Sequence, residues 1–424
     1  MRLPLSNTQA RNWVSVYLCL LLAISAFYSI VVPPLYSVAV PSYLLINIAA
    51  PFIILISINV SREFLAELGW ILLAYLVLFA LSQWYIYLAH PVLNDKLILL
   101  NAEDKTVQFR HTFFTQSWYL FNGILLYLYL KYYATSRHLP YIFWSFRILV
   151  IYGFIEVLLY QLLHRNGDFL SNRMFDNVPG TGSLFQVNSI GGWVVQRMKS
   201  LTGEPSMFAF SVVPIWILSV GLKQRIDQVL FFAALVLSFS TSAYLGIFVL
   251  ACGWLVFNRA FRKKYVWLLP LALLAPFALY YFSAGFRHFI HDAVLDKLTG
   301  ASVSGEQRTG YMKNHISYWV HDLNFFGKLV GLGFGYARST DFFSTLLVNN
   351  GIIGLLLFTW FFFKHALVPM RDRYLHQYYV VALIATYCIM MLSVPEFGYL
   401  SLWILLAFPY FYDRMSFTYQ TRYR

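Results

Sequence analysis

Apolar runs separated by short polar turns dominate the chain. They fall at roughly 13–31, 38–60, 67–89, 117–133, 140–163, 205–222, 227–240, 243–258, 265–284, 341–363, 376–393 and 397–412. Most have the length, about 17–25 residues, that carries an α-helix across the hydrocarbon layer of a bilayer. They do not alternate every second residue, as the strands of a membrane barrel would. The pattern predicts an all-α polytopic integral membrane protein of about twelve transmembrane helices. The seventh and eighth runs are short and joined by Ser240-Thr241-Ser242. The first run follows Arg2 and Arg11 with no convincing small-residue cleavage site, so it reads as a retained span.

Charge in the turns orients these spans. Lys131 and Arg137 follow the fourth, Lys223 and Arg225 the sixth, and Arg259, Arg262, Lys263 and Lys264 the eighth. Lys364, Arg371 and Arg373 follow the tenth, and Arg414, Arg422 and Arg424 close the chain. The short turns of the opposite side, around Pro33-Pro34, Ser240-Thr241-Ser242 and Val394-Pro395-Glu396, carry no Lys or Arg. The positive-inside rule then puts both termini in the cytoplasm. Three long loops, 90–116, 164–204 and 285–340, share the far side, and the last carries its own helix at about 305–323. The chain, 1–424, thus reads as one membrane domain with a helical cap. A site at one membrane face follows from that one-sidedness. A transporter would show inverted repeats and broken helices near the midplane of both halves, and no internal repeat is visible.

Composition agrees. Of 424 residues 59% are hydrophobic, 19% aromatic and only 12% charged; mean hydropathy is +0.62. A soluble domain carries about 25% charged residues. The net charge of +13 is accounted for by the basic cytoplasmic turns and does not call for nucleic acid. Cys19, Cys252 and Cys388 all lie within apolar runs, so neither a disulfide framework nor a thiolate metal site is indicated.

Chemistry concentrates between Arg287 and Gly354, where four His and five Asp or Glu interrupt the apolar sequence. On the 305–323 helix, Arg308, Met312, His315 and Trp319 share a face, flanked by Tyr311, Tyr318 and Asp322. A cation, an imidazole and aromatic rings suit a phosphosugar; the bland alternative is an amphipathic helix in the headgroup layer. His288, His291 and Asp292 form only a weak metal pattern. Gly331-Leu-Gly333-Phe-Gly335 lacks the strand–turn–helix setting of a phosphate loop and reads as a tight turn re-entering the membrane. Asp341 then opens a span containing Gly351-Ile352-Ile353-Gly354, either as N-cap or as catalytic carboxylate. The second loop ends in Arg197, Lys199 and Gly203-Glu204-Pro205. Glu204 is a cap or a sugar or phosphate contact, and Arg197 an interfacial side chain or a phosphate ligand. Glu156 lies within the fifth span, where an ionisable group is either a substrate contact or a carboxylate partnered by Gln161, His164 or Arg165.

Arg197 with Gly203-Glu204-Pro205, the Ser240-Thr241-Ser242 turn, Arg308 before an aromatic helix, the Gly331–Gly335 turn and the polar residue ahead of Gly351-Ile352-Ile353-Gly354 together resemble the bacterial O-antigen polymerase and ligase superfamily. The match covers about 193–363. The resemblance implies an inner-membrane glycosyltransferase with a large periplasmic loop, acting on undecaprenyl-diphosphate-linked glycan as donor and acceptor. It implies a chain-length regulator protein as a further partner, and no cofactor and no metal. It assigns the donor diphosphate to Arg197 and Arg308, and a reaction centre just before the tenth span. The ligase branch has His followed by Asn, Ser or Gln there; this chain has Thr340-Asp341, which favours a polymerase over a ligase. Base candidates near the acceptor hydroxyl are Asp341, His315 and Glu204, in that order. Tyr311, Trp319 and Glu156 are the expected sugar contacts. A lipid-linked oligosaccharide flippase is the non-enzymatic alternative.

Overall fold

The computed structural model describes residues 7–33, 39–101, 103–104, 106–173, 185–190, 193–257, 281, 287 and 303–414. Its first eight helices are α1 (Asn7–Ala23), α2 (Pro41–Val60), α3 (Arg62–Ala89), α4 (His111–Tyr133), α5 (Leu139–Leu163), α6 (Pro205–Gly221), α7 (Arg225–Leu237) and α8 (Thr241–Phe257). Five more follow: α9 (Val303–Ser317), α10 (Phe325–Val330), α11 (Phe342–Phe363), α12 (Arg373–Leu392) and α13 (Leu400–Tyr412). Among the described residues the only sheet is an antiparallel pair, β1 (Val187–Ile190) with β2 (Trp193–Gln196). The chain is an all-α membrane protein. Every predicted span that falls on described residues overlaps a helix; the predicted run 265–284 apart from Tyr281, the basic cluster 259–264 and His288, His291 and Asp292 lie outside them. Among the described residues, length and hydropathy together single out five helices able to cross a membrane: Pro41–Ile58, Arg62–Ala89, Ser136–Leu163, Phe342–Leu367 and Arg373–Leu392.

Burial orders these helices. α6 and α13 are apolar all round and buried along almost their whole length, which marks the centre of the bundle. α3 is equally apolar but exposed, with Trp70, Leu73, Leu76 and Trp84 facing outward, as a lipid-facing helix should be.

The first and third long loops build one cap. Arg110, fully buried, folds the first loop around itself by donating to the Asp104, Thr106, Leu100 and Asn101 carbonyls at 2.7, 3.1, 2.9 and 2.8 Å. That loop then pairs with the third: Leu100 N–H donates to the Tyr336 carbonyl and Arg338 N–H to the Ile98 carbonyl, at 3.0 and 2.9 Å. The second loop is fixed from below. Lys199, wholly buried, meets Asp168 at 2.5 Å and Glu156 at 3.7 Å, and Glu156 also accepts from the Ser200 N–H at 3.0 Å.

The tenth predicted span is not continuous. Gly351 breaks α11 with φ 62° and ψ −167°. The break frees carbonyls, and the glycine turn before the helix claims them: Leu332 N–H donates to Val348 O and Gly333 N–H to Asn349 O, at 2.9 and 2.7 Å. Backbone meets backbone so closely that a Cβ on Gly331 would lie 2.4 Å from the Asn349 carbonyl, and one on Gly351 2.2 Å from Leu329 O. The Asn349 side chain completes the joint, its amide oxygen accepting from Ala337 N–H at 2.9 Å and its amide nitrogen donating to Ala337 O at 2.8 Å.

Gly351→Ala is therefore expected to destabilise the protein by at least about 2 kcal/mol through a left-handed alanine pressed against backbone. Gly69→Ala, where nothing lies within 4 Å of the new Cβ, serves as the control. Thermal unfolding in detergent should show a lowered midpoint for the first variant and an unchanged one for the second; equal midpoints would refute the joint.

Candidate functional site

Four helices of the bundle point their N-termini at one cavity of about 670 Å³. Glu204, Pro205 and Ser206 at the start of α6 line it, as do Ser240 and Thr241 ahead of α8, Ser339 and Thr340 ahead of α11, and Gly398 and Tyr399 ahead of α13. Helix N-termini present free N–H groups and the positive end of the macrodipole, so their convergence favours an anion. α6 is the clearest case. Glu204 occupies its N-cap position with extended φ −132°, yet no side chain caps the helix. The Glu204 carboxylate instead takes the hydroxyl hydrogen bond of Ser206 and faces the cavity.

Arginines reinforce the field. Arg197 reaches the cavity from the position directly after β2; its N–H bonds to Gln186 O at 2.9 Å, its guanidinium to the Gln186 side chain and, at 3.3 Å, to Ser238 O. Arg308 arrives from the cap on α9, with Tyr311 beside it. Among the described residues no acceptor is in hydrogen-bonding contact with Arg308. Burial lowers the Arg197 pKa from the usual guanidinium range; Glu204 opposes this and the positive charge of Arg308 adds to it. Two like charges within reach of each other and one carboxylate on the same cavity leave an unfilled demand for negative charge.

Four of the eight residues picked from sequence thus meet on one cavity: Arg197, Arg308, Glu204 and Tyr311. The other four lie elsewhere, each for a definable reason. Asp341 is buried and saturated: one carboxylate oxygen accepts from Ser344 N–H at 2.6 Å, the other from the Ser339 and Ser344 hydroxyls at 2.7 Å each. It is the N-cap of α11, and its neighbours Ser339 and Thr340 line the cavity in its place. His315 is fully buried, and its Nε2 accepts from Ile98 N–H at 3.2 Å. It latches α9, two turns below Arg308, to the cap loop. Glu156 is fully buried as the partner of Lys199 and Ser200. Trp319 leaves the Arg308 face because Tyr318–Asp322 winds as a π turn, and its indole N–H donates to Lys328 O at 3.2 Å.

Sequence reasoning missed Arg173, Arg338 and Glu396. Arg338 and Glu396 form an ion pair on the cavity wall, and Arg173 lies against the Tyr119 ring with 5.6 Å between guanidinium carbon and ring centre. The signal available was Glu396 itself, a lone carboxylate in a short turn between apolar spans. No family model, no curated protein and no solved structure matches this chain.

Asp341→Asn keeps the Oδ1 cap, and the two serine hydroxyls can turn to accept from the new amide. If the protein has the glycan-extension activity that the sequence resemblance implies, the variant is expected within about threefold of wild type, since a lost general base would cost roughly 10²–10⁴. A larger loss at equal protein level would return Asp341 to the reaction centre.

His315 carries a second expectation. Burial pushes its pKa down to about 4, with Asp341 pulling the other way. The folded value lies below the free one of about 6.5, so between those values the folded protein binds fewer protons than the unfolded chain. Stability from this contact is complete above the free value and drains as pH falls towards the folded one. His315→Gln keeps an acceptor near the Nε2 position and should flatten that acid decline of the unfolding midpoint. His315→Ala should cost about 1–3 kcal/mol of stability at pH 7 through the lost acceptor and lower the midpoint accordingly. Equal behaviour of the two variants would exclude the latch.

Proposed function

We propose that the protein transfers glycan from a polyprenyl-diphosphate carrier onto a lipid-linked acceptor, the activity of an O-antigen-type polymerase. What carries the reading is one observation: Arg197 and Arg308, from different loops, share a cavity with Glu204 at the N-terminus of α6. In this reading the acceptor hydroxyl attacks the anomeric carbon, the bond from that carbon to the diphosphate oxygen breaks, and the diphosphate leaves with the bonding pair. Arg197 and Arg308 hold the leaving charge through paired N–H contacts, which arginine supplies without dependence on pH. The helix N-termini add fixed dipoles aimed at the same place. The hydroxyl proton passes to Glu204, the carboxylate of the three base candidates that faces the cavity. Tyr311 offers a ring face to the sugar. A single polar cavity supports chemistry at one face better than a two-sided path for lipid export.

The finer topology belongs to the same proposal: about twelve spans, cavity and cap on the periplasmic side of the inner membrane, and both termini in the cytoplasm. In a background without Cys19, Cys252 and Cys388, an impermeant thiol reagent added outside should label Glu103→Cys and spare Arg371→Cys. The reverse pattern would invert the protein and end the periplasmic assignment.

Arg308 gives the sharper test of function, because removing a side chain that has no acceptor among the described residues should spare the fold. Arg308→Ala and Arg197→Ala are each expected to reduce polymer by about 10²-fold or more, and the lysine variants to recover little. Gel ladders of surface glycan, at matched protein level, provide the measurement. Normal ladders in both alanine variants would remove the diphosphate clamp.

A further inference from the structure

The cavity has two charge clusters. Glu204 and Arg308 are the charged groups that act on Arg197. The phenols of Tyr119, Tyr43 and Tyr399 and the carboxylate of Glu396 act on Arg173 instead. This second cluster is built differently. Its arginine Arg338 is already engaged by Glu396. Tyr43 donates its hydroxyl to Gly398 O at 2.6 Å and Tyr399 to Thr202 O at 2.5 Å, which fixes both residues in the wall, and Tyr119, less buried, packs its ring against Tyr43. Rings beside a carboxylate–guanidinium pair match the two halves of a sugar, its apolar C–H face and its hydroxyl edge.

Charge argues against a second diphosphate here. Among the described residues four arginines and two glutamates line the cavity, which leaves two positive charges, enough for one diphosphate diester. An anion at the second cluster would also have to displace Glu396 from Arg338 and leave that carboxylate without its partner.

Building on the reading above, we propose that Tyr119, Arg173 and the Arg338–Glu396 pair form the acceptor subsite, which binds the uncharged saccharide end of the acceptor while the acceptor's own diphosphate stays outside the cavity. Glu396 accepts from sugar hydroxyls, Arg338 fixes its orientation, and Tyr119 stacks on the ring. The subsite would then place the attacking hydroxyl against the donor held at Arg197 and Arg308.

Two probes separate this proposal from its parent. One is geranylgeranyl diphosphate. The other is the oligosaccharide released by mild acid from the lipid carrier that accumulates in cells lacking this protein. Titration calorimetry with the full chain in nanodiscs measures both. Glu396→Gln and Tyr119→Ala should weaken saccharide binding by about tenfold or more and hold diphosphate binding within about twofold, while Arg197→Ala does the opposite. Diphosphate binding also certifies that Glu396→Gln and Tyr119→Ala are folded, and saccharide binding does so for Arg197→Ala. Unchanged saccharide affinity in both variants would overturn the subsite. So would a loss of the diphosphate in Glu396→Gln as deep as in Arg197→Ala. Absence of both an accumulated lipid-linked saccharide and diphosphate binding by the wild type would sink the glycan-transfer reading itself, and the subsite with it.

Discussion

A broken transmembrane helix has to satisfy its freed backbone groups inside the protein, because lipid offers no hydrogen bonds. α11 meets that demand at Gly351 by handing the Val348 and Asn349 carbonyls to the Leu332 and Gly333 amides. Two further things follow from this joint. It fixes the turn Gly331–Gly335 against the helix, so the chain that leaves the turn has a defined start. Asn349 then grips both backbone groups of Ala337, and the next residues, Arg338, Ser339 and Thr340, reach the cavity wall as a direct consequence. The cap loop attaches to the same short segment through Ile98 and Leu100. One backbone-to-backbone contact thereby sets the register of the cap, the N-terminus of α11 and one side of the candidate site.

Charged side chains divide into two populations, and saturation distinguishes them. Arg147 with Asp227 and Lys131 with Glu67, each at 2.6 Å, pair helix with helix, and Lys199 with Asp168 and Glu156 pins the second loop to α5; each has a carboxylate that is at least partly buried. Isolated charges of this kind would be prohibitively costly in a membrane bundle; pairing makes them tolerable and fixes which helices meet. Asp341 belongs with them, since each of its oxygens already accepts hydrogen bonds. Arg308 and Glu204 behave otherwise. Arg308 finds no acceptor among the described residues, and Glu204 sits at a helix start without capping it. A charge held in place but left incompletely answered is what a ligand site requires.

The same distinction explains how far sequence could be read. Helix positions were legible because hydrophobic run length is a local property. Arg197, Glu204, Arg308 and Tyr311 were legible because polar residues beside apolar spans stand out. Saturation is not local. Asp341 looked identical, as sequence, to a catalytic carboxylate; only Ser339 and Ser344 folding back onto it reveal a cap. Glu156 meets Lys199 across 43 positions of chain, by subtraction of their numbers, which periodicity does not register. Trp319 fell off its predicted face because a single π turn shifts every later side chain, and no residue preference announces that turn. Arg338 and Glu396 were passed over because their pairing joins segments 58 positions apart.

Convergence of helix starts gives the cavity its character before any side chain is counted. α6, α8, α11 and α13 all run the same way through the bundle, alternating with α7 and α12, so their positive ends collect at one face. At α11 the field is largely answered by Asp341. At α6 Pro205 removes one orphan N–H, the cap position holds a carboxylate turned aside, and the remaining amides stay open to the cavity. The arginines then act in a region already biased towards anions, where desolvation makes each contact stronger than in water. A neutral ligand would gain nothing from that bias, whereas a diphosphate gains most at the moment it becomes a leaving group. The architecture thus favours a site that stabilises developing negative charge over one that only holds a glycan.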